Sequence, residues 1–169
     1  MAKDAKTNVM RILDKAKISY DIHCYDHRDG GIDGISVAHK LHQNVDSVFK
    51  TLVTKGTGHD YYVFVLPVAK ELNRKAAAKC VGEKSIELIR VDEISRVTGY
   101  IRGGCSPIGM KKQYPTIVDD SCRKLDRIIV SGGKIGVQVE LSPSNLLAIT
   151  GATTETIAVE QENETRSNG

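Results

Sequence analysis

A lysine flanked by apolar residues is the side chain in this sequence best suited to binding an anion. Lys50 lies in residues 48–54, which predict a strand, and Val48 and Leu52 share its face. An ammonium group buried among apolar side chains costs free energy unless an anion neutralises it. Two interpretations stay open: a ligand brings a phosphate or carboxylate to Lys50, or the strand lies at a sheet edge and the amine reaches water.

A glycine-rich segment offers a second kind of binding group, the backbone N–H. Residues 103–109 read Gly-Gly-Cys-Ser-Pro-Ile-Gly. The pair Gly103 and Gly104 permits close approach of a ligand, and consecutive N–H groups can bind an anion or a carbonyl oxygen that is gaining charge. The segment is not a P-loop, because Met110 and Lys111 follow it in place of Lys-Ser or Lys-Thr. A purely structural turn is the alternative.

A third glycine-rich element could form part of the same site. Residues 131–136 read Ser-Gly-Gly-Lys-Ile-Gly and connect two predicted strands. The loop is either a tight connection with no further role, or one wall of the pocket that holds Lys50, with Ser131 lining it. Sequence spacing leaves both interpretations open.

The four cysteines and five histidines favour neither a metal site nor a catalytic pair. No two cysteines form a CxxC pair, and His39 and His42 lack a third ligand nearby. A nucleophilic Cys105 would need a neighbouring base, and no histidine lies beside it in the sequence. We therefore expect free thiols, no bound metal and no cofactor, with a Cys105-dependent thiol hydrolase as a remaining alternative.

The charge balance favours a polyanionic partner modestly. The chain has 169 residues and a net charge of +3, and its last 19 residues hold four glutamates and one arginine, so the first 150 carry six excess positive charges. Such a surface attracts phosphates at long range. No apolar run is long enough to span a membrane, and the N-terminus lacks a secretory signal. We expect no membrane partner and a cytoplasmic location.

The pattern of elements predicts an α/β fold with a mixed, largely antiparallel sheet and short flanking helices. Residues 61–68 are apolar on both faces, which is typical of a central strand, and residues 127–131 and 137–141 predict a hairpin. The expected helix N-caps are Thr7, Asn73 and Ser142. We expect one domain over residues 1–150 and an acidic, flexible tail over residues 151–169.

Several of these segments, taken together, resemble the YbaK (EbsC) family. The family consists of free-standing relatives of the insertion domain that edits mischarged tRNA in prolyl-tRNA synthetase. The resemblance runs from about Lys6 to Ile149, and it is greater to the branch that deacylates Cys-tRNA(Pro) than to the alanine-editing branch. Five matching segments follow in the same order, at residues 6–13, 48–53, 64–68, 98–109 and 130–134.

The resemblance implies a YbaK-like editing fold and specific roles for residues of this chain. Lys50 matches the essential lysine of the family, and the glycine pair matches the segment beside the substrate ester. Gln138 stands where some members carry an acidic residue, so no carboxylate is expected to act there. The loop of residues 27–34 matches poorly. The implied catalytic residues are Lys50, Gly103 and Gly104, and the implied substrate-binding residues are Tyr20, Thr51 and Ser131.

The resemblance also implies an activity and a partner. The activity is hydrolytic removal of cysteine from mischarged tRNA(Pro), in which the thiol of the substrate attacks its own ester. The partner is prolyl-tRNA synthetase, which would select the tRNA. Two alternatives remain: a non-catalytic module that binds tRNA or a synthetase, and an editing deacylase for another small amino acid.

Overall fold

Short helices surround three β-sheets in this protein, whose computed structural model describes residues 6–161. The helices are α1 (Asn8–Lys15), α2 (Gly34–Lys40), α3 (Arg74–Cys80), α4 (Val91–Thr98) and α5 (Pro143–Thr150). The strands are β1 (Asp21–Cys24), β2 (Phe49–Gly56), β3 (Tyr61–Pro67), β4 (Lys70–Leu72), β5 (Ile86–Leu88), β6 (Thr116–Asp119), β7 (Ile128–Lys134), β8 (Val137–Leu141), β9 (Thr153–Glu155) and β10 (Ala158–Glu160). Two short 3₁₀ helices span Val45–Ser47 and Asp120–Lys124.

The three residues predicted as N-caps each lie at the start of the predicted helix. Thr7 accepts a hydrogen bond from the N–H of Met10 at 3.2 Å, at the start of α1. Asn73 and Ser142 accept equivalent bonds at the starts of α3 and α5. Each cap satisfies one backbone donor that the first helical turn leaves without a partner. Local side-chain chemistry therefore fixes where these helices begin.

The sheets are mixed and largely antiparallel, which confirms the predicted fold class. The five-stranded sheet has the order β5-β2-β3-β6-β9, in which β6 runs parallel to both β3 and β9 and the other pairs are antiparallel. A second sheet, β1-β8-β7, is antiparallel throughout, as is the β4-β10 pair. No helix within residues 6–161 is long and apolar enough to cross a membrane.

The central strand β3 separates two apolar clusters, as its two apolar faces predict. Val63 and Val65 pack in one cluster with α1 and the β7-β8 hairpin. Phe64 and Leu66 point the other way and pack with Ala77 and other residues of a second cluster. The alternation follows from the two-residue period of a strand.

One contact joins the two larger sheets and positions the candidate site. Val48, just before β2, forms an isolated parallel bridge with Ile129 of β7. Strand β5 covers β2 only at residues 54–56, so the first half of β2 lies at an edge of its own sheet. The pairing of β2 with β7 does not continue beyond the bridge, which leaves room between Lys50 and Ser131.

The region predicted as a flexible tail is partly folded, so the expected boundary at residue 150 was wrong. Residues 153–155 add β9 to the large sheet, and residues 158–160 pair with β4. Ile157 is fully buried between these strands, and the Oδ1 atom of Asp119 accepts its backbone N–H at 3.0 Å. The acidic composition of this region favoured a flexible tail, and the two strands, of three residues each, are too short to give a clear periodic signal. The rest of the predicted tail, residues 162–169, lies outside the described residues.

Candidate active site

A cavity of about 330 Å³ opens where β2 and β7 separate. Most of its wall comes from four parts of the chain: the start of β2, the bulged β7-β8 hairpin, the start of α2 with the segment before it, and the glycine turn that follows α4. Tyr25 and Val68 complete the wall. The predicted site residues that line it are Lys50, Thr51, Gly103 and Ser131. The fold thus brings together side chains that are up to 81 positions apart in the sequence.

Lys50 is half-buried in this cavity. Burial lowers the pKa of its ammonium group, while the charge of Glu71 on β4 acts in the opposite direction. Its Nζ atom lies 3.5 Å from the backbone oxygen of Val68, and no carboxylate of the described residues forms an ion pair with it. A partly desolvated cation that is not in contact with a carboxylate is suited to binding an anion.

Thr51 provides a polar group beside this cation. Its Oγ1 atom is buried and has no hydrogen-bond partner among the described residues. Leaving a buried hydroxyl without a partner costs about 1–3 kcal/mol. Thr51 lines the cavity, but this oxygen has almost no exposed surface, so a ligand would reach it only after a local rearrangement.

The two glycines of the predicted pair have different roles. The N–H of Gly104 donates to the backbone oxygen of Ile101 at 3.0 Å, which closes a turn, so it does not point to a ligand. Gly103 is the third residue of this turn and has φ +87°, a value that favours glycine. Within residues 6–161 no acceptor takes the N–H of Gly103, and Gly103 lines the cavity. The expectation that the N–H of Gly104 faces a ligand was wrong, and the role of Gly103 as a donor stays a prediction.

Gly104 serves packing instead. A Cβ atom placed on it would lie 2.8 Å from the Cα atom of Lys134 and 3.0 Å from the backbone nitrogen of Ile135. Only a glycine lets the turn of residues 101–104 approach the hairpin loop this closely. This contact sets the position of Gly103 relative to Ser131.

Ser131 begins the irregular part of β7, where the register with β8 shifts. Its Oγ atom accepts the N–H of Gly133 at 3.2 Å, which leaves the hydroxyl proton available to donate. Of the two interpretations of this loop, the structure supports the one in which Ser131 lies on the same cavity as Lys50.

Tyr20 does not line the cavity, so the structure corrects its predicted role. Its hydroxyl donates to Oδ1 of Asp14 on α1 at 2.9 Å. Tyr25, at the other end of the short strand β1, lines the cavity in its place. Both tyrosines flank the same strand, and the sequence carried no signal to show which of them faces the site.

Cys105 lines the cavity, but its surroundings do not favour a nucleophile. Burial raises the pKa of its thiol to about 11, so the reactive thiolate is scarce at neutral pH. No histidine is among the residues that line this cavity in the described part of the chain. In residues 6–161 no three side chains of His, Cys, Asp or Glu are grouped as a metal site would require.

Sequence reasoning missed two charged residues of the site, Asp33 and Arg102. Arg102 is exposed and sits in the turn beside Gly103. Asp33 belongs to the loop that matched the family poorly, and it caps α2 by accepting hydrogen bonds from the N–H and the hydroxyl of Ser36, at 3.1 and 2.7 Å. An aspartate directly before a helix is a recognisable N-cap signal. Nothing local showed that the cap borders a cavity.

Gln138 also lines the cavity and is only 6% exposed. Its Oε1 atom accepts a hydrogen bond from Nε2 of Gln43 at 2.7 Å. The amide pair fixes this wall of the cavity, and no carboxylate acts at this position.

Comparisons with known proteins agree with this geometry. The model of a family described as an aminoacyl-tRNA editing domain matches residues 34–149. A protein of Enterococcus faecalis (strain ATCC 700802 / V583), provisionally named Cys-tRNA(Pro)/Cys-tRNA(Cys) deacylase EbsC, is 41% identical over 145 residues, which are 86% of this chain and 88% of that protein.

Two solved structures share the fold. The crystal structure of hypothetical protein APE2540 superposes with a TM-score of 0.83 at 22% identity, over 90% of this chain and 100% of that one. A crystal structure provisionally described as a trans-editing enzyme for prolyl tRNA synthetase superposes with a TM-score of 0.76 at 20% identity, over 92% of this chain and 99% of that one.

Proposed function

The chain belongs to the aminoacyl-tRNA editing domain family, and from this premise we propose that it deacylates mischarged Cys-tRNA(Pro). Family membership confirms the resemblance that the five sequence segments predicted. The observation that carries the proposal is the half-buried Lys50, which forms no ion pair with a carboxylate of the described residues and lines the same cavity as Gly103, whose N–H has no acceptor there.

The groups in the cavity match the parts of an aminoacyl ester on a tRNA end. A phosphate of the terminal nucleotides supplies the anion that Lys50 lacks, so Lys50 acts as an anchor and stabilises charge. The hydroxyl of Ser131 lines the cavity with its proton free to donate to the ribose or the ester, and Thr51 lies on the same wall as Lys50. The N–H of Gly103 is the donor for the oxygen of the ester carbonyl as that oxygen gains charge.

The reaction that fits these groups needs no nucleophile from the protein. The thiol sulfur of the substrate attacks its own ester carbonyl and forms a carbon–sulfur bond, the bond to the ribose oxygen breaks, and that oxygen takes the thiol proton. A cyclic thioester leaves, and water then opens it to cysteine. The high pKa of the Cys105 thiol agrees with this route. Holding the sulfur near the carbonyl supplies much of the rate, because well-oriented intramolecular reactions gain about 7–11 kcal/mol.

This route also explains why correctly charged Pro-tRNA(Pro) would not be hydrolysed. A pocket distinguishes small side chains by only about 1–3 kcal/mol per methylene group. Alanine, serine and proline have no thiol, so they are rejected by reactivity whether or not they enter the cavity. Rapid release of proline from Pro-tRNA(Pro) would contradict the proposal, and rapid release of alanine would favour an editing deacylase for another small amino acid.

The proposal includes prolyl-tRNA synthetase as a partner and the cytoplasm as the location. A domain of this size with a small positive excess has little surface with which to read a tRNA sequence. A synthetase that already holds tRNA(Pro) would supply that selection. Co-purification of the two proteins with tRNA(Pro) tests this part separately from the chemistry.

The test is a deacylation assay on Cys-tRNA(Pro) with the variants Lys50→Ala and Lys55→Ala. Lys55 lies on the same strand but does not line the cavity, so it is a matched control. We expect Lys50→Ala to lose at least about 100-fold in rate, the scale of one lost transition-state contact, while Lys55→Ala keeps the wild-type rate. Full activity of Lys50→Ala would refute the assigned role, and loss of tRNA binding in a protein without any hydrolysis would favour the non-catalytic module.

A second substrate tests the thiol. S-methylcysteine is one methyl group larger than cysteine, and its sulfur cannot attack without gaining a positive charge. We expect S-methylcysteinyl-tRNA(Pro) to be stable in the presence of the enzyme. Its hydrolysis at the rate of Cys-tRNA(Pro) would show that an external water attacks the ester.

A further inference from the structure

The cavity contains charges of both signs. Lys50 lines it half-buried, and the exposed residues Asp33 and Arg102 are the other charged residues of its lining. Asp33 forms no ion pair with either cation in the described part of the chain. A phosphate of the substrate would pair with Lys50 or Arg102, but it gives the carboxylate of Asp33 no function in binding.

Asp33 is held in place by its own surroundings. Ser36 donates one hydrogen bond to each of its two carboxylate oxygens, and these bonds keep its pKa below the usual range, so Asp33 is ionised at neutral pH. Each oxygen retains a lone pair for a further donor. Capping α2 therefore does not exhaust the capacity of this carboxylate to bind a ligand.

The loop that carries Asp33 is tied to the helix α2 by a second interaction. The Nζ atom of Lys40 donates to the backbone oxygens of Asp26 and Gly31 at 2.6 and 3.0 Å, and to Oδ1 of Asp29 at 2.7 Å. All three ammonium protons are used, so one side chain of α2 fixes the loop at three points. Asp33 therefore lies between a loop and a helix that are bonded to each other.

We propose that Asp33 binds the α-ammonium group of the aminoacyl ester. The inference rests on the proposed function and narrows its substrate class to aminoacyl esters with a free amino group. Such a substrate carries a cation on the carbon next to the reacting carbonyl and phosphates on the nucleotide side. A carboxylate on the loop before α2, together with Lys50 on β2, would recognise the two ends and orient the carbonyl between them. Asp33 is thus a positioning residue for the reaction.

The variant Asp33→Asn separates this role from helix capping. Asparagine is as good an N-cap as aspartate and has nearly the same shape, but it carries no charge. The substrates are Cys-tRNA(Pro) and its N-acetyl derivative, in which the amino group is neutral and the thiol is free. Asp126→Asn is the matched control, since Asp126 is exposed and does not line the cavity.

We expect the wild type to prefer the free amino group by about 10- to 100-fold in kcat/KM, the range for one hydrogen bond between charged groups. Asp33→Asn should lose this preference by reacting more slowly with Cys-tRNA(Pro) and at an unchanged rate with the acetylated substrate. Asp126→Asn should retain it. Equal loss on both substrates would show a merely structural role, and an Asp33→Asn variant that still prefers the free amine would overturn the proposal.

A binding measurement keeps this test independent of the proposed activity. In 3′-cysteinylamino-3′-deoxyadenosine an amide replaces the ester, so binding is read without hydrolysis. Tighter binding of the free amine than of the N-acetyl compound, lost in Asp33→Asn, would support the assignment even if no deacylation of Cys-tRNA(Pro) were seen. Equal binding of the two compounds to the wild type would overturn it while leaving deacylation of Cys-tRNA(Pro) to stand on its own assay.

Discussion

Replacing Gly104 with alanine tests whether the close packing of two loops places the walls of the cavity. The added Cβ atom would lie 2.8 Å from the Cα atom of Lys134, whereas carbon atoms in contact are usually about 3.5–4.0 Å apart. The clash is with backbone, which has no rotamer to change. The turn and the hairpin loop must therefore separate by about 1 Å, and overpacking of this kind costs about 1–3 kcal/mol.

For a chain of this length, each kcal/mol of lost stability lowers the melting temperature by about 2–4 °C. We expect Gly104→Ala to melt about 2–12 °C below the wild type by circular dichroism. A displacement of about 1 Å between reacting groups can cost about 100-fold in rate. Deacylation should therefore fall more steeply than the folded fraction, because Gly103 and Ser131 lie on the two loops that move apart.

Gly58→Ala is the matched control for this substitution. Gly58 lies in the turn between β2 and β3, and a Cβ atom on it meets no atom within 4 Å. Its alanine variant should stay within about 0.5 kcal/mol of the wild type, as is usual for exposed positions. If Gly104→Ala behaves like Gly58→Ala in both melting and turnover, the contact between the turn and the hairpin does not position the site.

Two further substitutions test the charges of the cavity. Lys50→Met should stabilise the protein at neutral pH, because burial lowers the pKa of Lys50 in the folded state and its charge therefore costs free energy. This gain in stability should shrink as the pH rises from the lowered pKa towards the ordinary value of 10.5, where the lysine of the unfolded chain also loses its proton. Denaturant unfolding at pH 7 and pH 10 measures it, and a variant less stable than the wild type at pH 7 would contradict the desolvation argument. Arg102→Gln should weaken binding of the tRNA and reduce the slope of log K against log salt by about 0.7, the effect of one lost phosphate contact on a single strand. An unchanged slope, measured by fluorescence anisotropy over a range of salt concentrations, would remove Arg102 from the phosphate-binding surface.

The sequence allowed prediction of the features that arise from local patterns. The two apolar faces of β3 and the N-caps at Thr7, Asn73 and Ser142 depend on residues within a few positions of each other. The strands β9 and β10 were missed because three residues provide less than two periods of alternation. An element could be predicted when its sequence pattern was strong, whether or not the element is important to the fold.

The candidate site could be predicted only in part because its geometry depends on distant contacts. The bridge between Val48 and Ile129 joins residues 81 positions apart, and no local pattern encodes it. Likewise, nothing in the sequence showed that Tyr25 and not Tyr20 lines the cavity. The glycine pair gave the right segment, but the division of roles between Gly103 and Gly104 depends on how near the hairpin loop approaches.

The two interpretations of Lys50 describe the same physical arrangement. The first half of β2 is an edge of its sheet, as the interpretation with a solvated amine required, and that edge faces β7 across the cavity. A site at such an edge can hold a cation that is partly desolvated yet open to a ligand, whereas the same lysine on β3 would be buried on both faces. Glu71 offsets part of the cost of the half-buried charge, and an anion that enters the cavity offsets more of it. Binding energy is therefore available at the point where the chain brings Thr51 and Gly103 together, and a substrate that lacks the phosphates should lose rate there even when its aminoacyl group fits.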